Sequence, residues 1–199
     1  MLITQAIQDS FQEYRDQWSL VLFSFGCNFS CKYCYNLDFS RDRKNIIGEA
    51  KDLIKQYLHP GHEAVVFLGG EPTIWKDALI ETTKQIKDMG LKVKIFTNGF
   101  LSEVIKKLND QKLVDAYSVD LKTIKEASYF LGVAMNDDEY LWKFRSTINH
   151  ILDAGIFLEV RTTKWPGINI EEIKDYMKQN LPAIPHIIQD DFSKNLKHI

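Results

Sequence analysis

An α/β fold with parallel strands, arranged as an open partial (β/α)6 barrel, is predicted by three features of the sequence. Six short apolar runs recur along the chain, the stretches between them carry helical periodicity, and glycine or proline closes most of those stretches. The runs are near-continuous rather than alternating, which marks strands covered on both faces, as in a parallel sheet. Repeated strand–helix units then call for right-handed crossovers. Six units in 199 residues fall short of a closed eight-stranded barrel, which takes about 250. A doubly wound sheet also accommodates six. The chain, 1–199, reads as a single domain without linker, repeat or low-complexity tract.

Taken in order, the segment before the first run sets Ile3, Ile7, Phe11 and Tyr14 on one helical stripe. It lacks a cap and equally suits an extended lead-in. Strands are predicted at 18–25, 64–68, 91–97, 116–121, 156–162 and 186–189. Helical stripes run through 46–58, 75–89, 101–108, 141–152 and 170–181. Pro60-Gly61, Gly90 and Gly155 supply stops, and Asn136 and Asn169 supply caps.

Composition narrows the function classes. With 25 basic and 27 acidic residues the net charge is 25 − 27 = −2, which offers no electrostatic basis for binding nucleic acid or an anionic membrane. Hydrophobic residues at 45% and charged ones at 26% suit a chain that buries a core rather than a disordered one. No apolar run nears the roughly 20 residues of a spanning helix. The first ten residues carry neither the basic nor the apolar region of an export signal, so a cytoplasmic location is expected.

The chain has three cysteines, Cys27, Cys31 and Cys34, on one loop after the first strand. The odd count disfavours a disulfide framework. Structural zinc takes four closed ligands, and the five histidines show no zinc-finger spacing. The spacing suits an iron–sulfur cluster of four irons held by three thiolates, with the fourth iron open to another ligand. Loops at the C-terminal ends of parallel strands are also where α/β folds build active sites.

Cys27-x3-Cys31-x2-Cys34, with aromatic Tyr33 before the last cysteine, resembles the signature of radical S-adenosylmethionine (SAM) enzymes. Gly69-Gly70-Glu71-Pro72 at the end of the second run resembles that family's GGEP motif, although alone it also fits a plain strand-to-helix turn. Thr97-Asn98-Gly99 and Arg161-Thr162-Thr163 end the third and fifth runs. The resemblance spans roughly residues 10–165 and implies a [4Fe–4S] cluster and SAM as cofactors. It implies that the cluster delivers one electron into the sulfonium, giving methionine and a 5′-deoxyadenosyl radical. Gly69 and Gly70 would let backbone approach the methionine end. Those glycines or Glu71 would engage the ammonium, and Asn98 a ribose hydroxyl. Arg161, with its planar fork, is a candidate for the SAM carboxylate, though a surface ion pair explains it as well.

Asp120-x-Lys122 closes the fourth run with both side chains on one face. It resembles the D-x-K motif of glycyl-radical-enzyme activating proteins, which contact SAM there. Residues 10–14 and the cysteine loop are similar to the anaerobic ribonucleotide reductase activator group, from which Arg15-Asp16 and Tyr35 depart. The resemblance implies a glycyl radical enzyme as protein substrate, anaerobic ribonucleotide reductase first among them. Flavodoxin or ferredoxin is the implied electron donor, and no residue takes an acid–base role. The rivals are a radical SAM enzyme acting on a small molecule or peptide, such as a 7-carboxy-7-deazaguanine-synthase-like protein, and a non-catalytic metal-binding protein. His59, His62 and the tryptophans are assigned to loop and packing roles, and nothing is assigned to Asp190-Asp191.

Overall fold

The computed structural model describes residues 1–190, so Asp191 and His198 lie outside the described residues. Eight strands form one open sheet: β1 (Leu2–Ser10), β2 (Ser19–Ser24), β3 (Gly48–Glu49), β4 (Ala64–Gly69), β5 (Lys92–Thr97), β6 (Ala116–Asp120), β7 (Phe157–Thr163) and β8 (His186–Gln189). The order is β3-β1-β2-β4-β5-β6-β7-β8. From β2 to β8 every pair is parallel, so the six predicted strands form the predicted (β/α) array. The helices are α1 (Leu37–Arg41), α2 (Ala50–Tyr57), α3 (Lys76–Asp88), α4 (Ser102–Asp110), α5 (Ala127–Leu131), α6 (Asp137–Asp153) and α7 (Ile170–Asn180). Among the described residues none is long and apolar enough to cross a membrane.

Two elements extend the expected plan. The N-terminal stripe is not helical: β1 pairs antiparallel with β2 on one side and with β3 on the other. The helix predicted from residue 46 starts at Ala50, because Ile47 N donates to Ile3 O and Gly48-Glu49 join the sheet. Capping follows expectation. Asn136 Oδ1 accepts from Glu139 N at 2.8 Å, and Asn169 Oδ1 from Glu172 N at 3.2 Å.

The two faces of the sheet differ. Leu20, Leu22, Val65, Phe67, Val93, Ile95, Tyr117, Val119, Leu158 and Val160 point to the helices and are buried with them in one core. Each such large apolar side chain contributes about 1.5–3 kcal/mol. The alternate residues turn to the other face. Val21, Val66 and Lys94 share one row there, Phe96, Ser118 and Glu159 the next, and Asp120 and Arg161 the row nearest the strand ends.

At the β7–β8 pair, Thr162 Oγ1 donates to Leu121 O and therefore accepts from His186 Nε2, 2.9 Å away. Burial, with the nearby Lys174, holds the His186 pKa below its ordinary value. The unfolded chain then binds this proton more readily, so the contribution to stability is present above about pH 6.5 and is lost as pH falls through the ordinary and folded values. Between pH 7 and 5, thermal midpoints of the His186→Asn variant should fall less steeply than those of the unaltered protein. Equal slopes would refute the assignment.

Candidate cofactor site at the strand ends

The cysteine loop leaves β2 at Phe25 and is pinned by its backbone. Gly26 N donates to Ser40 O, and Gly26 O accepts from Glu71 N, both at 2.8 Å. On the other side Ser30 N donates to Leu131 O at 2.8 Å and Lys32 N to Phe130 O at 3.0 Å. The loop thus hangs between the β4–α3 turn and α5. Gly132, which ends α5 at φ 64°, lies so close that a Cβ would sit 2.4 Å from Ser30 O.

Cys31 is buried, Cys27 is half-buried and Cys34 is exposed. Burial, reinforced by the charge of Glu71, pushes the Cys27 thiol up to about 12. Burial also raises Cys31, while Lys122 pulls it back. No three His, Cys, Asp or Glu side chains among the described residues gather to hold a single metal ion.

Glu71 is fully buried, and its carboxylate is occupied by the protein. Oε1 accepts from Thr73 N (3.1 Å), Thr73 Oγ1 (2.6 Å) and Thr97 Oγ1 (2.8 Å), while Oε2 accepts from Asn98 N (2.7 Å). Burial pushes its pKa up and these four donors oppose the rise. It ties the end of β4 to the end of β5. The glycines before it also serve the protein's own backbone. A Cβ on Gly69, at φ 103°, would lie 2.8 Å from Phe23 Cα, and one on Gly70 only 1.9 Å from Gly26 O. The close approach expected toward a ligand is an approach of the β4 turn to β2 and the cysteine loop.

Asn98 reaches the cysteine loop directly. Its Nδ2 donates to Asn28 Oδ1 at 2.7 Å and its Oδ1 accepts from Phe100 N at 3.0 Å. Across the sheet, Lys122 Nζ donates to Asp120 Oδ2 at 2.8 Å. Burial disfavours the ammonium, but Asp120, Cys31 and Tyr33 outweigh it and hold its pKa well above the ordinary value. Lys122 O accepts from the Tyr33 hydroxyl at 3.0 Å, and Lys122 N donates to the Tyr140 hydroxyl at 2.9 Å. Tyr33 is thereby locked between the pair and the Trp165 ring, 5.8 Å away. Arg161, paired in register with Asp120, donates through a terminal nitrogen to Gln189 Oε1 at 2.6 Å and stacks over Phe96 at 5.0 Å.

Among the described residues three buried donors have no partner: Asn28 Nδ2, Asn36 Nδ2 and Arg161 Nε. The asparagines flank the cysteines and the arginine lies across the strand ends. Unmatched buried donors are rare, and these fit an acceptor-rich group such as cluster sulfides or a SAM carboxylate. The predicted residues are therefore brought to one end of the sheet, with Glu71 as a brace within it.

Sequence reading missed a polar group deeper on the same face. Lys94 Nζ lies 3.1 Å from Glu159 Oε1, which also accepts from Ser118 Oγ. Burial lowers the Lys94 pKa and Glu159 opposes the drop. The only signal was a charge inside each of two apolar runs, Lys94 in KVKIF and Glu159 in FLEVR. The remaining candidates are structural. His62 Nδ1 accepts from His59 N and its Nε2 binds Gln8 O, while Asp190 pairs with Lys164 at the surface.

Comparison with known proteins agrees with this arrangement. Residues 21–179 match the radical SAM superfamily. A protein of Methanocaldococcus jannaschii provisionally named as a glycyl-radical enzyme activating enzyme is 34% identical over 179 residues, covering 89% of this chain and 74% of that protein. A second protein of that organism, with the same provisional name, is 27% identical over 166 residues, covering 80% and 61%. Among solved structures, native anSMEcpe with bound AdoMet and Kp18Cys peptide superposes with a TM-score of 0.62 at 17% identity, over 87% of this chain and 51% of that one. The chain thus spans between half and three quarters of these proteins. Three cysteines on a strand-end loop, a glycine-rich turn clasped to that loop and a sequence match across most of the fold lead to one family: the chain belongs to the radical SAM superfamily, whose members use a [4Fe–4S] cluster and S-adenosylmethionine.

Proposed function

We propose that this chain generates a glycyl radical on a partner protein in the cytoplasm, with anaerobic ribonucleotide reductase the first candidate. Cys27, Cys31 and Cys34 hold the cluster. SAM lies across the ends of the strands, within reach of Tyr33, Asn98, the Asp120–Lys122 pair and Arg161. When bound, the two cofactors supply a 5′-deoxyadenosyl radical by reductive cleavage of SAM. The chain's own residues hold and orient. Gly69, Gly70 and Glu71 fix the cysteine loop against β2 and β5, Asn28 and Asn98 present amides beside Cys27, and Arg161 offers its free Nε to a carboxylate.

The observation that carries the activating role is the Asp120–Lys122 pair, half-buried at the end of β6 and coupled to Tyr33 and Cys31. The names of the two archaeal relatives support it. The polar cluster of Lys94, Ser118 and Glu159 favours a second reading, in which a small polar molecule or a peptide sits on the inner face of the sheet. One experiment separates the two. The reduced protein is mixed anaerobically with SAM and a candidate reductase, and electron paramagnetic resonance is recorded. A glycyl doublet on the reductase, absent for Lys122→Ala, is expected. Turnover of SAM without that doublet on any candidate would favour the second reading.

A further inference from the structure

Sequence reading gave residues 141–152 only an apolar stripe, yet the first turn of α6 is bonded to both halves of the cofactor site. Asp137 accepts from Glu126 N at 3.0 Å and from Ala127 N at 2.7 Å. Glu126 is left-handed, at φ 54°, and that conformation turns the two successive N–H groups onto one carboxylate. Asp137 thereby anchors the start of α5, whose Phe130 O and Leu131 O receive the cysteine loop. One turn along, the Tyr140 hydroxyl reaches the exit of β6. There it accepts from Lys122 N at 2.9 Å and turns its own proton toward Asp120 O, 3.5 Å away. Tyr140 is 1% exposed. Its ring meets Phe29 of the cysteine loop edge-on at 6.3 Å, and Phe29 in turn meets Phe100, two residues beyond Asn98, at 5.4 Å. Lys122 O is taken by Tyr33. The main chain of Lys122 is thus gripped by two tyrosine hydroxyls, one from the cysteine loop and one from α6.

We propose that Tyr140 is a positioning residue for SAM, acting through Lys122. Leu121 N still bonds Arg161 O across the sheet, whereas Lys122 N has left the ladder and Tyr140 supplies the acceptor it needs. That bond sets where the exit of β6 stands relative to the cysteine loop. It therefore sets where the Asp120–Lys122 pair meets a ligand that spans the two. A displacement of about 1 Å in a positioned group costs up to about 10²-fold, so the loss of one hydroxyl is large enough to read. The inference rests on the proposed placement of the pair beside SAM and not on the identity of the partner protein.

The test uses the cluster-loaded full chain and its Tyr140→Phe variant, which keeps the ring against Phe29 and removes only the hydroxyl. Without SAM, the variant should keep the circular dichroism, iron content and visible spectrum of the unaltered protein. Hydrogen exchange of the Lys122 amide should quicken at least about tenfold. SAM binding to the oxidised proteins is then measured by equilibrium dialysis, and the concentration at half-saturation should rise about tenfold. In a Lys122→Ala background the same change should alter it by less than about twofold, because a residue acting through Lys122 has nothing left to position. An unchanged half-saturation for Tyr140→Phe beside a raised one for Lys122→Ala would overturn the inference. So would a double variant in which the two effects add in full. Half-saturation unmoved by either change would remove the Asp120–Lys122 pair from SAM, and this inference with it.

Discussion

Cys31→Ala should abolish cluster assembly and SAM cleavage together. Iron and sulfide per chain should fall toward background after anaerobic reconstitution, and 5′-deoxyadenosine should drop by well over about 100-fold, since even changes outside the ligand shell cost metal sites 10–100-fold. Cys31 is the ligand buried most deeply, and its thiol lies within the influence of Lys122 and Cys34. The fold should survive. The loop is held by backbone bonds of Gly26, Ser30 and Lys32 to three other segments, and none of these uses the Cys31 side chain. Far-ultraviolet circular dichroism of the variant should match that of the unaltered protein. A variant retaining iron, sulfide and product would remove the cluster from this loop, and one zinc per chain without sulfide would end the radical assignment altogether.

The second large effect is on stability. Glu71→Gln replaces one acceptor oxygen by an amide donor, where four protein donors already converge. At least one N–H or O–H is then left facing another donor in a site closed to water. Such losses at charged, buried acceptors destabilise by about 2–4 kcal/mol, or about 4–16 °C in thermal midpoint for a chain of this size. The drop should appear without SAM present. If Glu71 instead met the ammonium of SAM, the variant would keep its midpoint and lose SAM affinity, and differential scanning fluorimetry with and without SAM distinguishes the two.

The legibility of this fold follows from burial. The strands of the parallel array are covered on both faces for much of their length, so LVLFS or AVVFL could only be read one way. β1 was hidden because its pairing with β2 is interrupted between Ile3 and Gln5 and again between Ile7 and Ser10. Those irregularities break the alternation that betrays an ordinary strand and leave apolar residues at helix-like intervals. β3 is two residues long, too short to leave a pattern.

The site divides in the same way. Cysteines, glycines and Asp-x-Lys are local patterns, and the structure gathers them at one end of the sheet. What residues do after the chain closes was not local. Glu71 read as a ligand group because its four partners lie two and about 26 positions away, and nothing in GGEP states that they will surround it. Lys94 and Glu159 are 65 positions apart, and only the registers of β5, β6 and β7 join them through Ser118.

That charged cluster also sets a length. Lys94 and Asn98 follow one another on a single strand and its exit, four residues apart, which is about 13 Å at the usual rise per residue. On the activating role proposed above, a partner loop reaching from Asn98 to the depth of Lys94 would extend three or four residues, and a glycine at its tip is the residue that most easily makes the bend such a loop needs.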